Sequence, residues 1–107
     1  MSKRVPVAQI DQIAPGQPNK FDVAGVGSIA VYCVEGRYHA TSDECTHGIA
    51  SLGADGALEG FTVECSWHGG KFDIRTGEAL GPPCVEPLKV YPVSVEGSTL
   101  FITVGET

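Results

Sequence analysis

Two short groups of cysteine and histidine lie in the middle of the chain, Cys45-Thr46-His47 and Cys65-Ser66-Trp67-His68. Two thiolates and two imidazoles could bind a tetrahedral structural zinc ion. They could also bind a [2Fe-2S] cluster in which two histidines ligate one iron or, as a third alternative, a single copper or iron ion. Each group supplies one cysteine and one histidine in the same order, whereas zinc fingers commonly pair like residues. This mixture favours two equivalent loops around a two-iron centre.

The segments around these groups predict an all-β, antiparallel fold built from hairpins. Glycine- and proline-containing turn signals recur along the chain and separate runs rich in Val, Ile, Tyr, Phe and Thr. Two hairpins are predicted, one turning at Glu35-Gly36 and one at Gly97, and at most one helical turn, near Ile10 and Ile13. The predicted strands cover residues 28–34, 38–42, 61–65, 71–74, 88–95 and 99–104.

Composition limits the class of protein. A chain of 107 residues with 42% hydrophobic and 19% charged residues is the size of one globular domain. A net charge of −6 argues against a nucleic-acid partner, because phosphates are bound by basic surfaces. The sequence shows no targeting signal and no membrane-spanning run, so we expect a cytoplasmic protein with no membrane contact. In that reducing compartment four cysteines are expected to be metal ligands or buried thiols.

The motifs "CTHG", "CSWHGGKFD" and "TG" resemble the Rieske iron-sulfur motif. Together with "YHATSDECTHGIASL", "LEGFTVECSWHGGKFDIRTGEAL" and "PLKVYPVSVEG", they resemble the small Rieske ferredoxins of bacterial aromatic-ring-hydroxylating dioxygenase systems. The resemblance implies one Rieske domain over residues 1–107 with a β-sandwich or barrel base. A smaller cluster-binding subdomain of loops and short strands is expected at approximately residues 43–84, inserted in that base.

The resemblance also assigns roles to individual residues. Cys45 and Cys65 are expected to bind the buried iron of one Rieske-type [2Fe-2S] cluster, and His47 and His68 the outer iron. Five further residues are expected to shield the cluster or to contact a partner: Ile49, Trp67, Gly70, Pro82 and Pro83. The last two belong to a proline loop whose restricted φ angles would hold one wall of the site in place.

The chain differs from high-potential respiratory Rieske proteins at four positions. Ala50 and Trp67 stand where those proteins have an extra pair of cysteines, and Gly70 and Phe72 replace a serine and a tyrosine that donate hydrogen bonds to the cluster. Because hydrogen bonds to the cluster raise its potential, we expect a potential near the lower end of the Rieske range, about −150 mV.

The resemblance implies a one-electron carrier that is not itself an enzyme. Its partners would be an NAD(P)H-dependent flavoprotein ferredoxin reductase and the terminal oxygenase of the same system, and the chain is expected to be a monomer. The alternative is the small Rieske subunit of an NADH-dependent nitrite reductase. Both readings rest on the same ligand motif.

The remaining polar and sulfur-containing residues have simpler interpretations. Cys33 and Cys84 are expected to be structural and His39 to be an ordinary strand residue. A set of acidic residues is expected on the solvated surface, where some members could steer a basic partner: Asp43, Glu44, Asp55, Glu59 and Glu64.

Overall fold

The computed structural model describes residues 2–23, 25–43, 56–64, 71–80 and 88–105. Within these ranges the chain forms β-strands, which pair antiparallel, and a single 3₁₀ helix, so the predicted all-β class is confirmed. The 3₁₀ helix is Ile10–Gln12, where at most one helical turn was predicted. The strands are β1 (Ser2–Gln9), β2 (Asn19–Val23), β3 (Gly27–Val34), β4 (Arg37–Ser42), β5 (Ala57–Glu59), β6 (Thr62–Glu64), β7 (Lys71–Asp73), β8 (Val90–Tyr91), β9 (Val93–Glu96) and β10 (Thr99–Gly105).

The described strands form three sheets. An end sheet has the order β1-β10-β9, a central sheet the order β2-β3-β4-β8, and a small sheet the order β5-β6-β7. The small sheet lies in sequence between β4 and β8, yet β4 and β8 are paired neighbours in the central sheet. The small sheet is therefore an insertion into the base formed by the other two sheets.

Strand β3 contributes to two hydrophobic cores at once. Ala30 and Tyr32 pack with Val63 and Phe72 of the small sheet. The alternate residues, among them Val31, pack with side chains of the end sheet. Successive side chains of a strand point to opposite faces, so one fully buried strand can serve both cores. Residues 29 to 32 are completely inaccessible to solvent, which places β3 at the centre of the molecule.

Both predicted hairpins are confirmed. Val34 of β3 pairs with Arg37 of β4 across Glu35-Gly36, and Glu96 of β9 pairs with Thr99 of β10 across Gly97. Glu35 and Gly36 have positive φ angles of 53° and 78°. A two-residue turn with positive φ at both positions matches the right-handed twist of the flanking strands. Glutamate is uncommon in the left-handed region, so the glycine is the residue of this pair that indicates a turn in the sequence.

The prediction of one continuous strand at residues 88–95 is wrong. It is divided at Pro92 into β8, which pairs with β4, and β9, which pairs with β10. Proline has no backbone N–H to donate to a ladder, so the chain changes sheets at this residue. Tyr91 before the division and Val93 after it pack in the same core, whereas Leu88 packs in the core of the small sheet.

Three strands were not identified from the sequence: β1, β2 and β5. The first contains Pro6 and has a break in its register with β10 between Pro6 and Ala8. The second alternates partly buried and exposed residues at the edge of the central sheet. The third has only three residues. Short or edge strands depend on their partners more than on their own propensity, so the sequence signal was weak.

Cys33 is a free cysteine that packs against the core of the base while remaining partly exposed, so the expectation of a core residue is only approximately met. Cys84 lies outside the described residues. No helix in the described ranges has the length and apolar character needed to span a bilayer.

Gly77 connects the small sheet to the base. Its carbonyl accepts a hydrogen bond of 2.7 Å from the Leu88 backbone N–H, and its φ is +81°. A Cβ atom at this position would lie 2.2 Å from the carbonyl oxygen of Leu88 and 2.9 Å from a methyl group of Val90. Only glycine allows this approach, because both its conformation and its missing side chain are required.

We expect Gly77→Ala to destabilise the fold by at least about 2 kcal/mol, since the strained φ and the contact with a backbone oxygen add together. Gly97→Ala is the matched control, because Gly97 has a φ of +61° but nothing within 4 Å of the added Cβ. The control should show only the conformational cost, about 1 kcal/mol. Thermal unfolding followed by far-UV circular dichroism measures both. Equal losses in the two variants would show that the contact with Leu88 contributes nothing.

Candidate metal centre

The predicted ligands and shielding residues lie outside the described residues. This holds for Cys45, His47, Ile49, Cys65, Trp67, His68, Gly70, Pro82 and Pro83. The described residues that flank them are informative, because they define where the chain enters and leaves each segment. The ligand assignment itself stays a prediction.

The second ligand segment, residues 65–70, connects two paired residues of the small sheet. Glu64 of β6 and Lys71 of β7 are direct cross-strand partners. The first ligand segment, residues 44–55, ends two residues before Ala57 of β5, which is the partner of Glu64 on the other side. Ala57, Glu64 and Lys71 thus form one row at one edge of the small sheet, the loop edge. Both ligand segments meet the described chain at this edge.

The proline segment, residues 81–87, starts at the same place. The Leu80 backbone N–H donates a hydrogen bond of 2.8 Å to the carbonyl oxygen of Lys71, and Ala79 forms an isolated bridge with Phe72. At its other end this segment is followed by Lys89, whose carbonyl oxygen accepts a 2.8 Å hydrogen bond from Ser42. Ser42 in turn precedes the first ligand segment. The three segments that contain every predicted site residue therefore have neighbouring ends.

This arrangement fits the group that the sequence implies. Two thiolates and two imidazoles are the donor set of a Rieske-type cluster, and the small sheet brings the ends of both contributing segments to one edge. Among the described residues, no group of three or more His, Cys, Asp and Glu side chains is placed to hold a metal ion. The central Cys and His groups are thus the metal-binding candidates that the sequence supplies.

A buried hydrogen-bond chain supports the start of the first ligand segment. The Tyr32 hydroxyl lies 2.9 Å from Thr41 Oγ1, and the Thr41 hydroxyl donates to the carbonyl oxygen of Ser42 at 2.9 Å. Because the one hydroxyl hydrogen of Thr41 is directed to Ser42, Tyr32 is the donor to Thr41. Both side chains are completely buried. Burial raises the pKa of Tyr32 far above its usual range, the hydrogen bond between Tyr32 and Thr41 opposes this rise, and the nearby Asp43 charge adds to it.

The expectation that Asp43 lies on the solvated surface is wrong. Asp43 is only 3% exposed, and its backbone N–H donates to the carbonyl oxygen of Ser28 at 3.3 Å. This contact joins residues that are distant in the sequence, so composition could not reveal it. Glu59 is exposed and Glu64 is partly exposed, as expected for surface acids, while Glu44 and Asp55 lie outside the described residues.

A second polar group lies at the opposite end of the small sheet from the loop edge. Arg75 binds the Asp73 carboxylate through Nη2 at 2.9 Å and Nε at 3.1 Å, and its guanidinium carbon lies 4.4 Å from the centre of the Phe61 ring. The Arg75 side chain holds the pKa of Asp73 below its usual value. This pair was not predicted from the sequence. Its only sequence signal is the two-residue spacing of Asp73 and Arg75 at the end of a predicted strand.

His39 lies in β4, as predicted, and its ring meets Phe61 edge to face with a centroid separation of 5.8 Å. Its Nε2 atom is buried and has no hydrogen-bond partner among the described residues. Burial is the main cause that lowers the pKa of His39; Arg75 and Arg37 lower it further, and Asp73 opposes them. The imidazole is therefore neutral at pH 7 and fits against an aromatic ring.

The Tyr32–Thr41 pair generates a prediction about stability. Thr41→Val should lower the free energy of unfolding by about 1–3 kcal/mol, because it leaves the buried Tyr32 hydroxyl without an acceptor. Tyr32→Phe should cost only about 1 kcal/mol, because Thr41 keeps its bond to Ser42. The double variant should lose less unfolding free energy than the sum of the losses in the two single variants. Denaturant unfolding of the four proteins measures this cycle, and strictly additive losses would show that the two side chains do not interact.

The chain was compared with known families and proteins. The model of the Rieske [2Fe-2S] domain matches residues 3–92. The ferredoxin component of the p-cumate 2,3-dioxygenase system from Pseudomonas putida is 50% identical over 95 residues, which cover 89% of this chain and 80% of that protein. The match extends over the segments that contain the predicted ligands and the strands that flank them.

Solved structures show the same relationship. The ferredoxin of Sphingomonas yanoikuyae B1 has a TM-score of 0.90 and 37% identity, covering 96% of this chain and all of that one. The ferredoxin in a complex of reduced oxygenase and oxidised ferredoxin of carbazole 1,9a-dioxygenase has a TM-score of 0.84 and 37% identity, covering 92% and 91%. A small subunit of a nitrite reductase has a TM-score of 0.77 over 94% and 97% of the two chains, but at 19% identity it shares the fold alone.

The family match, the high identity over most of the chain and the close structural agreement all lead to one conclusion, which also identifies the cofactor. The chain belongs to the Rieske [2Fe-2S] family and uses a Rieske-type [2Fe-2S] cluster.

Proposed function

We propose that this chain is the ferredoxin component of an aromatic-ring-hydroxylating dioxygenase system, a one-electron carrier that delivers electrons to a terminal oxygenase. The observation that carries the proposal is the 50% identity to a ferredoxin component of such a system. Like the relatives named above, the chain acts as an electron carrier and not as a catalyst. Its electrons would come from an NAD(P)H-dependent flavoprotein ferredoxin reductase, a partner implied by the multicomponent systems to which these relatives belong.

The proposed ligands are Cys45 and Cys65 on the inner iron and His47 and His68 on the outer iron. The row Ala57, Glu64 and Lys71 supports this set, because it brings both ligand segments to one edge of the small sheet. When bound there, the cluster supplies a site that is reduced and oxidised by one electron. The neutral histidine ligands leave less negative charge on it than four thiolates would.

The proposed role of the surrounding residues is to exclude water from this site and to form its contact surface. Ile49, Trp67, Gly70, Pro82 and Pro83 belong to the segments whose ends lie at the loop edge. Beneath that edge the described core is apolar and closed: Val63, Phe72 and Ile74 have no exposed surface. A rigid, dry support of this kind limits the rearrangement that accompanies a change of charge.

We propose that residues 1–107 form one Rieske domain and that the cluster-binding subdomain extends over approximately residues 43–84. The pairing of β4 with β8 supports these boundaries, because the chain between them leaves and then rejoins the central sheet. The nitrite reductase alternative receives no comparable support, since that likeness concerns the fold alone.

We also propose that the protein works as a monomer in the cytoplasm. Cys33 is a free thiol, which is the usual state in a reducing compartment. The net charge of −6 opposes self-association, because like charges on the surface repel one another.

The ligand assignment and the function can be tested together. Reduced protein should show a rhombic EPR signal, and NADH-driven oxygenase turnover with the purified reductase should require the chain. His68→Ala should abolish the native signal and the turnover. His39→Ala is the matched control, because His39 lies in β4 away from the loop edge, and it should retain both. Survival of the native signal in the His68 variant would refute the ligand set, and turnover independent of the chain would refute the proposed function.

The low potential can be tested at Phe72. This residue stands where high-potential Rieske proteins have a tyrosine, and its ring is completely buried in β7. Phe72→Tyr should raise the potential, because a hydroxyl donor stabilises the reduced cluster. Phe61→Tyr, at the opposite end of the small sheet, should leave it unchanged. A redox titration should give about −150 mV for the unaltered protein, and a value above about +100 mV would contradict the argument.

A further inference from the structure

The small sheet has two faces of different character. Leu58, Val63 and Phe72 are cross-strand neighbours whose side chains face the core. The alternate residues face the other way and form what we call the outer face. Five of them line a depression at the surface together with Leu80 and an edge of the partly buried Leu58: Ala57, Glu59, Thr62, Glu64 and Lys71.

Leu80 is the most exposed large apolar residue of this depression. It is 47% exposed, and only one other large hydrophobic residue in the described ranges is comparably exposed, Val95 at 41%. Leu80 lies at the loop edge, because its backbone N–H binds the carbonyl oxygen of Lys71. Val95 lies in β9 of the end sheet. A single exposed leucine is ordinary on a protein surface, and what distinguishes Leu80 is its place in a depression beside the loop edge.

The charges of the outer face favour a basic partner. Among the residues that line the depression, Glu59 and Glu64 contribute two negative charges and Lys71 one positive charge, a net charge of −1. The Asp73 carboxylate on the same face is bound by Arg75. The chain as a whole has a net charge of −6. A partner that presents lysine or arginine side chains around an apolar contact would therefore be attracted at long range and oriented at short range.

The position of the outer face relates it to electron transfer. Electrons pass between two centres only when these come close together, so a partner must bind near the segments that contain the ligands. The outer face ends at the loop edge, where residues 65–70 join Glu64 to Lys71. A protein seated on Leu80 would be adjacent to this edge, whereas one seated on Val95 would contact the end sheet instead.

We propose that the outer face and Leu80 form the docking surface for the terminal oxygenase, which would present an apolar contact to Leu80 and basic side chains to Glu59 and Glu64. This inference rests on the proposed function. The oxygenase is the chosen occupant because the ferredoxin of a 37% identical relative is found in complex with its oxygenase. A carrier must release its partner after each transfer, which suits a small contact with one apolar anchor.

The test compares Leu80→Ser with Val95→Ser, the matched control for loss of an exposed hydrophobic side chain. Each cluster-loaded protein is reduced and mixed with excess oxidised oxygenase in a stopped-flow instrument, and the second-order rate of its oxidation is measured. Leu80→Ser should react roughly tenfold more slowly, as expected for loss of an anchoring side chain. Val95→Ser should react at the rate of the unaltered protein. Both variants should keep the potential and the EPR signal.

A second pair tests the charge. Glu59→Gln should lower the rate at low ionic strength and weaken its dependence on salt, because it removes a charge from the outer face. Asp11→Asn removes the same charge from an exposed residue of the 3₁₀ helix in the base and should have a smaller effect. Equal effects of the two variants would show that only net charge matters and would overturn the assigned surface.

The other outcomes are also decisive. An unchanged rate for Leu80→Ser would overturn the docking surface and leave the proposed function intact, since the unaltered protein would still reduce the oxygenase. A variant that slows only its own reduction by the reductase would assign the surface to the reductase instead. A change of potential or EPR signal would place Leu80 in the metal centre and equally overturn the inference. Failure of the unaltered protein to reduce the oxygenase would refute the proposed function itself.

Discussion

The structure depends on the complete burial of β3 between two cores. Val31 and its alternate neighbours pack toward the end sheet, while Ala30 and Tyr32 pack toward the small sheet. Burial of a large aliphatic or aromatic side chain stabilises a fold by about 1.5–3 kcal/mol. A strand that buries both faces joins two layers without any further connection. The small sheet, only three strands of three residues each, could not be stable alone and acquires its position from this contact.

Two local features then order the chain at the junctions between the small sheet and the base. Gly77 permits the chain to pass within hydrogen-bond distance of Leu88, and the Tyr32–Thr41–Ser42 chain holds the residues that precede the first ligand segment. Both features lie where the insertion leaves or rejoins the central sheet. These hydrogen bonds are buried, and a buried hydrogen bond is costly to break. The position of the loop edge is thus determined by the base.

Part of the fold and of the candidate site could be predicted from the sequence, and part could not. The resemblance of the Cys and His motifs to the Rieske motif predicted the cofactor and the family. The run of β3, rich in Val, Ile and Tyr, and the Glu35-Gly36 turn predicted the first hairpin. The change of sheet at Pro92 and the burial of Asp43 were missed, because each depends on a partner that is distant in the chain. Strand β1 was missed because Pro6 and its charged neighbours hide a strand that forms by pairing with β10. For the ligands themselves, the sequence remains the direct basis.

Side chains of the small sheet alternate between the core and the outer face, so packing on one face determines which residues lie on the other. Because Leu58, Val63 and Phe72 must face the core, the alternate residues Glu59, Thr62, Glu64 and Lys71 must face solvent. A shift of one residue in register would bury these charges and expose the core, so hydrophobic packing alone selects which side chains are presented to other proteins. The row that ends this sheet is also where both predicted ligand segments join the described strands. The packing that positions this sheet therefore determines both where those segments begin or end and which charges lie beside them.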